Sequence, residues 1–200
     1  MTPKDSINQL IKTIVKPAFK TAGFHIDGNT FRKEENGFVK VFNVQYSQFN
    51  TYLSAAFYLN AGLYFPLTYG WRYNWPMPSR IKESDCQFRF RTDDLTGRHR
   101  AYSVDENTDA NQLAQVVKEE VDASIQWFAS IEELGDCISA QKQIRSPGQT
   151  CTYDVALTYA VLGDIAKADE IFKIFMSQQI SNLAEREKML MEARRRGINF

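Results

Sequence analysis

Residues 38–47 read Phe-Val-Lys-Val-Phe-Asn-Val-Gln-Tyr-Ser, and residues 53–63 read Leu-Ser-Ala-Ala-Phe-Tyr-Leu-Asn-Ala-Gly-Leu. In both stretches apolar side chains recur at about every second position. Because successive side chains of a pleated strand point to opposite faces of the sheet, this alternation predicts two strands, each with one apolar face and one mixed face. Residues 48–51 connect them, so we expect the two strands to pair in antiparallel fashion.

Two further strands are predicted to flank this pair. Residues 30–34 precede it, and the connecting Glu35-Asn36-Gly37 favours a hairpin turn because Asn and Gly accept positive φ angles. Residues 85–91, Asp-Cys-Gln-Phe-Arg-Phe-Arg, alternate again. The side chains expected on the core face of this last strand are Cys86, Phe88 and Phe90. Those expected on the outer, mixed face are Gln87, Arg89 and Arg91.

Helical periodicity surrounds the predicted sheet. Apolar residues predict an N-terminal helix over 5–22, which Gly23 ends and Pro17 could kink. After the strands, Thr108 or Asp109 can cap a long helix. The predicted fold class is therefore α+β, with an antiparallel meander of about four strands, helices packed on one face of the sheet and a C-terminal helical hairpin.

Two helical segments are predicted after residue 129, and the second runs from Thr150 to Phe200. Ser130-Ile131-Glu132-Glu133 resembles a capping box that opens a helix to about Arg145, and Ser146-Pro147-Gly148 then breaks it. We therefore divide the chain into an α+β domain at 1–146 and a helical extension at 147–200 that packs on it. A hairpin is expected to turn at Gly163-Asp164. One tetratricopeptide pair also has this spacing of small and aromatic residues, but repeat proteins need about three such units.

The charge balance argues against nucleic acid as a partner. Lys and Arg total 24, as do Asp and Glu, so the formal net charge is zero. Nucleic-acid binders usually carry a basic excess that displaces counterions from phosphates. A local basic patch through Arg98, Arg100 and 194–196 remains the alternative, although 194–196 also suit a solvated helix end.

The chain carries three cysteines, an odd number with no Cys-x-x-Cys pair. No signal peptide is evident at its start, and the longest mostly apolar run, 52–65, is too short for a membrane-spanning helix. We therefore expect reduced thiols, no membrane association and a cytoplasmic location.

No catalytic motif is apparent. The two histidines lie in no local signature, and neither a Gly-x-Ser-x-Gly elbow nor a phosphate-binding glycine loop is present. A Cys86–His99 pair is conceivable, but a thiol on a core face is more typical of packing. Asp85, Asp93 and Asp94 could bind a hard cation, but aspartates at strand ends are more often turn or cap residues. We expect no catalytic residue, no metal and no cofactor.

Charge and aromatic surface concentrate between Tyr64 and Arg91. A proline-rich loop is predicted there, with rings at every second position: Tyr69, Trp71, Tyr73 and Trp75. Packed on the edge of the core, these rings would form a structural lid. Exposed, they would form a contact patch, since Trp and Tyr dominate interface energetics.

A binding surface is predicted where this loop meets the arginine strand. Arginine forks match carboxylate and phosphate groups, and rings can stack a planar ligand. The alternative is the solvated side of an open sheet, with the arginines paired to acids such as Glu34 or Asp93. The candidate ligand- or partner-binding residues are Gln87, Arg89, Arg91, Trp71 and Trp75.

Several segments also carry a resemblance to a known family. They are Ala22-Gly23-Phe24, Asn29-Thr30-Phe31-Arg32, residues 41–47, residues 86–91 and Trp127-Phe128-Ala129-Ser130. They resemble domain-of-unknown-function family 4304, a family of bacterial proteins, over residues 5–135 approximately. The resemblance implies an α+β fold with the helices against one sheet face, and it implies no activity. The loop around Trp71 and the C-terminal hairpin look like additions to the shared part.

The favoured function is a non-enzymatic binding module. Its ligand would be a protein partner or a small anionic ligand, and a regulatory or immunity-type partner of another bacterial protein is one concrete form. The alternative is an enzyme acting on an anionic substrate, with Arg89 and Arg91 as oxyanion clamps and Asp85, Asp93 or His99 as acid or base. Such an enzyme needs a deep pocket with a perturbed acid or base.

Overall fold

The computed structural model describes residues 2–73, 76–98, 101–145, 150–178 and 183–199; at 71–73, 183 and 185 it describes the backbone only. The fold is α+β, as predicted: helices pack on an antiparallel sheet. The strands are β1 (His25–Asp27), β2 (Thr30–Glu35), β3 (Phe38–Tyr46), β4 (Ala55–Tyr64), β5 (Phe88–Arg91) and β6 (Tyr102–Val104).

The sheet is the predicted meander with short strands added at both edges. Its order is β1-β2-β3-β4-β5, and β6 also pairs with β4. β5 pairs with residues 60–63 of β4 and β6 with residues 55–57, so both share one edge of the sheet. β1 and β6 were not predicted, because strands of three residues are too short to display an alternating pattern.

The N-terminal helix has three parts, α1 (Pro3–Leu10), a π-helical turn (Ile11–Val15) and α2 (Lys16–Thr21). Pro17 lacks an amide proton and its ring crowds the preceding turn, so an undistorted α-helix cannot run through this position. The wider π turn lies directly before it, as is common where a helix accommodates a local irregularity. Where a kink was expected, around Pro17, the helix changes from π to α geometry.

The remaining helices follow in chain order. They are α3 (Pro66–Tyr73), a 3-10 turn (Glu83–Asp85), α4 (Asp93–Thr96), α5 (Ala110–Ala129), α6 (Asp136–Gln141), α7 (Thr152–Val161), α8 (Ile165–Ser177) and α9 (Leu183–Arg195). Asp109 caps α5 by accepting bonds from Asn111 and Gln112. The predicted helix from Ser130 is wrong in extent. The Asp136 carboxylate accepts the amides of Glu132 and Glu133 and closes a turn, so the helix begins only at Asp136.

One face of the sheet meets the helices in the main core. The Phe19 ring of α2 lies 4.3 Å from that of Phe42 and 5.0 Å from that of Phe31, and Phe128 of α5 completes the cluster at 6.5 Å. All four rings are at most 1% exposed. Burying a side chain of this size contributes about 1.5–3 kcal/mol, so these contacts hold α2 and α5 on the sheet.

Lys40 is the polar exception on the core face of β3. It is 4% exposed, and its Nζ lies 2.8 Å from Oε1 of Glu35. Burial acts to raise the pKa of Glu35, but the hydrogen bond and charge of Lys40, together with Lys33, outweigh it and hold that pKa below its ordinary value. A buried amine needs such a partner, so this pair explains why the alternation of β3 tolerates a lysine.

The C-terminal helices pack on the same core. The predicted hairpin turn is confirmed: α7 and α8 join at Gly163, which has a φ of 91°, and at Asp164, which caps α8. Thr68 of α3 donates a 2.8 Å bond to the buried carboxylate of Asp154 in α7. Residues 146–149 lie outside the described ranges, so the domain division at 146 stays a prediction. No helix in the described part of the chain is both long and apolar enough to span a membrane.

Candidate functional site

The second face of the sheet, opposite α2 and α5, is half covered. Val39 and Val41 of β3 and Tyr64 of β4 form a small cluster with Cys86 and Tyr69, and all five are at most 5% exposed. Ile81 packs against the same cluster. The segment 76–86 therefore acts as a cover over one half of this face.

One ion pair and one hydrogen bond fasten this cover to the sheet, and both involve the Asp27–Arg32 pair of β1 and β2. Arg32 of β2 donates to the carbonyl oxygen of Ile81 and to the carboxylate of Asp27, each at 2.5 Å. Arg80 reaches the other oxygen of the same carboxylate at 2.9 Å. The hydrogen bond of Arg32 holds the pKa of Asp27 below its ordinary value, so this carboxylate stays ionised at neutral pH.

The prediction that Cys86 faces the main core is wrong. The chain bends at Gln87 and β5 begins only at Phe88, so the strict alternation of a strand does not extend back to 86. Cys86 consequently lies on the second face, packed over Gly62, while Phe88 and Phe90 enter the main core as predicted. The thiol is nevertheless buried, as expected.

The outward orientation predicted for Gln87 is also wrong. Gln87 is fully buried: its Nε2 donates to the carbonyl oxygen of Phe65 at 2.8 Å, and its Oε1 accepts the Phe65 amide at 3.0 Å. The same amide group reaches Thr68 Oγ1 at 3.2 Å. Gln87 therefore satisfies the backbone where β4 turns into α3, and it presents no group to solvent.

The uncovered half of the second face carries both arginines, as predicted. β5 pairs with β4 so that Arg91 lies opposite Asn60 and Arg89 opposite Gly62. The guanidinium carbon of Arg91 lies 3.7 Å from the centre of the Tyr58 ring. Asn60 donates to Gln45 of β3 at 3.0 Å. We call this surface the arginine face, defined as Gln45, Tyr58, Asn60, Glu83, Arg89 and Arg91.

Glu83 supplies a negative charge to the arginine face, next to Arg89. Its carboxylate lies 3.8 Å from Nη1 of Arg89, and its side chain is 14% exposed against 54% for Arg89. Burial raises the pKa of Glu83 above its ordinary value, although Arg89 and Arg91 act in the opposite direction. A depression of about 260 Å³ opens between these groups and is lined by residues of the arginine face and by Phe90.

This arrangement favours binding of carboxylate or phosphate groups. The ring of Tyr58 restricts the Arg91 guanidinium, and a restricted fork loses less entropy when it binds. Arg89 is the more exposed of the two and can swing toward a ligand. The side-chain amides of Asn60 and Gln45 also line the depression and add neutral hydrogen-bonding groups to it. The sequence pattern alone had already indicated Arg89 and Arg91 as members of this set.

The aromatic loop of the sequence analysis is in part a helix. Residues 66–73 form α3, and Pro66 occupies its first turn, where a missing amide proton has no consequence. Tyr69 is 3% exposed with its ring 5.1 Å from that of Tyr64, which agrees with the structural-lid alternative. The side chain of Trp71 and the whole of Trp75 lie outside the described residues.

Glu83 is the member of the site that sequence reasoning missed. Its signal is local: the polar run 82–85 precedes the arginine strand by only a few residues. A carboxylate so close in the chain to Arg89 is a ready partner for it. The same run supplies Asp85, which accepts the Lys82 amide at 2.8 Å and so shapes the turn that buries Glu83.

The other candidates considered from the sequence lie elsewhere. Asp93 and Asp94 begin α4, and His99 lies outside the described residues. Within the part of the chain that the structure describes, no three His, Cys, Asp or Glu side chains form a group that could hold a metal ion. The three cysteines are all buried.

The family model described as "Domain of unknown function (DUF4304)" matches residues 15–131. This span covers the sheet, α2 and α5, and it includes the arginine face. The chain therefore belongs to this family, as the resemblance implied. No curated protein and no solved structure matches the chain.

Proposed function

We propose that this protein is a non-enzymatic binding module whose arginine face receives the carboxylate side chains of an acidic segment on a protein partner. The observation that carries this proposal is that Arg89 and Arg91 border one open depression, one exposed and one held against a ring. Two guanidinium groups at one depression match carboxylates two bonds at a time. A regulatory or immunity-type role would use such a module.

The size of the depression supports a side chain as the ligand. Small-molecule and cofactor sites usually enclose about 300–1,000 Å³, whereas this depression has about 260 Å³ and is open to solvent. One or two acidic side chains fill that volume, and the exposed rim around it offers further contact area. A whole substrate would stay largely in water.

Glu83 makes the proposed binding dependent on pH. Its carboxylate lies within the depression and repels an acidic ligand when it is ionised. Because its pKa is raised, acidification protonates Glu83 before the ordinary carboxylates of a ligand, and the site becomes more cationic. Binding of an acidic segment should therefore tighten as the pH is lowered from neutrality toward the pKa of Glu83, and Glu83→Gln should remove that dependence.

The test is the affinity of a fluorescein-labelled hexaglutamate peptide, measured by fluorescence polarisation at low salt. We expect Arg89→Ala to weaken binding about tenfold, which corresponds to about 1.4 kcal/mol. Arg195→Ala removes an exposed arginine from α9 and should leave the affinity unchanged. A hexalysine peptide is the charge control. Equal affinities for the wild type and Arg89→Ala, or no binding at all, would refute the proposal.

One observation favours the enzymatic alternative. A carboxyl with a raised pKa beside two arginines is the arrangement of a general acid next to an anion clamp. In that case Glu83, and not Asp85, would be the acid, since Asp85 is engaged by the Lys82 amide. Turnover of a panel of anionic esters and phosphates that Glu83→Gln abolishes would establish this alternative.

A further inference from the structure

A second surface lies at the tip of the β3–β4 hairpin, residues 47–54. Phe49, Tyr52 and Leu53 are 80%, 79% and 75% exposed, and they fall within five positions of one another. Single exposed apolar residues are ordinary, but a contiguous apolar group is typical of an interaction site. None of these side chains contributes to either apolar cluster of the fold.

The tip is held in one conformation by its own hydrogen bonds. Asn50 forms two bonds with the backbone of Ala56, at 2.7 and 3.1 Å. Oγ1 of Thr51 accepts the amides of Leu53 and Ser54, at 3.3 and 3.1 Å. The three apolar side chains are thus presented by an ordered turn, so little entropy is lost when a partner covers them.

Two depressions extend from the tip across the molecule. The first, of about 360 Å³, lies between Tyr52, Leu53 and the start of α1, and Asp105 and Glu106 form its opposite wall. The second, of about 350 Å³, continues from Asn107 along α5 and is lined by Asp109, Leu113 and Val116. Asn107 lines both, so the two depressions are neighbours, and we call the pair the groove.

The charges of the groove are acidic. Asp105 is fixed by the amide of Asn107 and the hydroxyl of Thr108, at 2.9 Å each, and Asp109 caps α5. Glu106 is exposed. Lys4, next to the lining residue Pro3, is the basic side chain nearest in the chain, and it neighbours Asp5, so it does not reverse the sign of the surface.

This charge pattern selects one kind of partner. Anionic lipid headgroups would be repelled by the acidic wall, which disfavours insertion of the tip into a membrane surface. A second copy of the chain, docked symmetrically, would bring the same acids together. A segment with apolar side chains and flanking basic residues satisfies both the apolar tip and the acidic wall.

We propose that the hairpin tip and its groove form a docking surface for a protein segment that carries apolar side chains flanked by Lys or Arg. This surface shares no residue with the arginine face and takes the opposite charge, so it is a second, independent interaction site. Tyr52 and Leu53 are its anchors, because each borders the groove and projects from the tip.

The test uses random dodecapeptides displayed on phage, selected on the wild-type protein and counter-selected on the variant Phe49→Ser/Tyr52→Ser/Leu53→Ser. The substituted side chains are exposed, so the variant should keep the wild-type circular dichroism spectrum and melting temperature. We expect enrichment of peptides with apolar residues beside Lys or Arg. The most enriched synthetic peptide should bind the variant about 30-fold more weakly or worse.

Charge is tested with the same synthetic peptide. Glu106→Lys should weaken its binding about 5- to 10-fold, and 0.5 M salt should shrink that difference because exposed charges are screened. Ile174→Ser and Glu170→Lys alter exposed residues of α8 and serve as matched controls that should bind like the wild type. Selection of no tip-dependent peptide, or of acidic ones, would overturn the proposal. Tip-dependent binding to phosphatidylglycerol vesicles, or tip-dependent self-association, would overturn it as well.

Discussion

Gly62→Ala tests the way the cover packs on the second face of the sheet. Gly62 lies in the middle of β4, opposite Arg89, beneath Cys86. A methyl group added at this position would lie 2.8 Å from Cβ of Cys86, 2.8 Å from the carbonyl oxygen of Phe88 and 3.0 Å from the Cys86 sulfur. Carbon atoms in contact are usually about 3.5–4.0 Å apart, so β5 and the cover must move.

The expected loss of stability is about 2–3 kcal/mol, toward the upper part of the range for an overpacked core, because one of the close atoms is backbone. For a chain of this length, each kcal/mol lowers the melting temperature by about 2–4 °C, so the variant should melt about 4–12 °C below the wild type. Thermal unfolding followed by circular dichroism measures this directly, and urea unfolding gives the free energy.

Gly70→Ala is the matched control. Gly70 lies inside α3, and an added methyl group meets no atom within 4 Å. Alanine is favoured over glycine within a helix by about 0.5–1 kcal/mol, so this variant should be more stable than the wild type. The double variant Gly62→Ala/Cys86→Gly removes two of the three close atoms and should be less destabilised than the sum of its single changes. Wild-type stability in Gly62→Ala would refute the packing of Cys86 on this face.

Three further predictions concern buried polar groups and thiols. Gln87→Ala should lower the free energy of unfolding by about 1–3 kcal/mol, because it leaves the buried amide of Phe65 without its partner, whereas the Phe65 carbonyl keeps the amides of Thr68 and Tyr69. The variant should leave hexaglutamate binding unchanged; urea titration measures its stability and fluorescence polarisation measures its binding. Glu35→Gln should lower the free energy of unfolding by about 2–4 kcal/mol at pH 7, because it leaves the positive charge of the buried Lys40 amine without this ion-pair partner. The folded-state pKa of Glu35 is depressed, so its contribution is present above about pH 4.5 and is lost as the pH falls through that depressed pKa. Unfolding measured between pH 3 and 7 should therefore show a larger loss of stability on acidification in the wild type than in the variant. Burial raises the pKa of Cys86 and Cys137, so Ellman's reagent should leave the native protein largely unreacted and should titrate three thiols in urea; rapid reaction of the folded protein would contradict the burial.

The central sheet could be predicted from the sequence because its long strands carry a clear period. Residues 38–47 and 53–63 alternate over enough positions to define both faces, and the turn at Asn36-Gly37 fixes their partner strand. The strands β1 and β6 have three residues each and depend on pairing with a neighbour. No local pattern distinguishes such strands from loops.

The errors in the candidate site have two sources. Gln87 was placed outward because alternation was carried back past Phe88, the first residue of β5. The segment with the rings of 69–75 was predicted to be a loop because it is rich in proline, but residues 66–73 are helical. In both places a tertiary contact determines where the side chain lies: Gln87 donates a hydrogen bond to Phe65, and Tyr69 packs on Tyr64.

The arginine face could be predicted only in part from the local sequence. Arg89 and Arg91 alternate within β5 and were placed correctly on the face away from the main core. Their neighbours Asn60 and Gln45 follow from strand order and register. Glu83 could not be placed, because its position depends on how the cover folds back over the sheet.

The most direct test of the proposed function is a nitrogen-15 NMR titration of the wild-type protein with hexaglutamate. The account predicts that the largest shifts occur at the backbone amides of Arg89 and Arg91 and at the side-chain amides of Asn60 and Gln45, and that binding tightens as the pH is lowered from neutrality toward the pKa of Glu83. Shifts centred on another surface, or no shifts at these four residues, would contradict it.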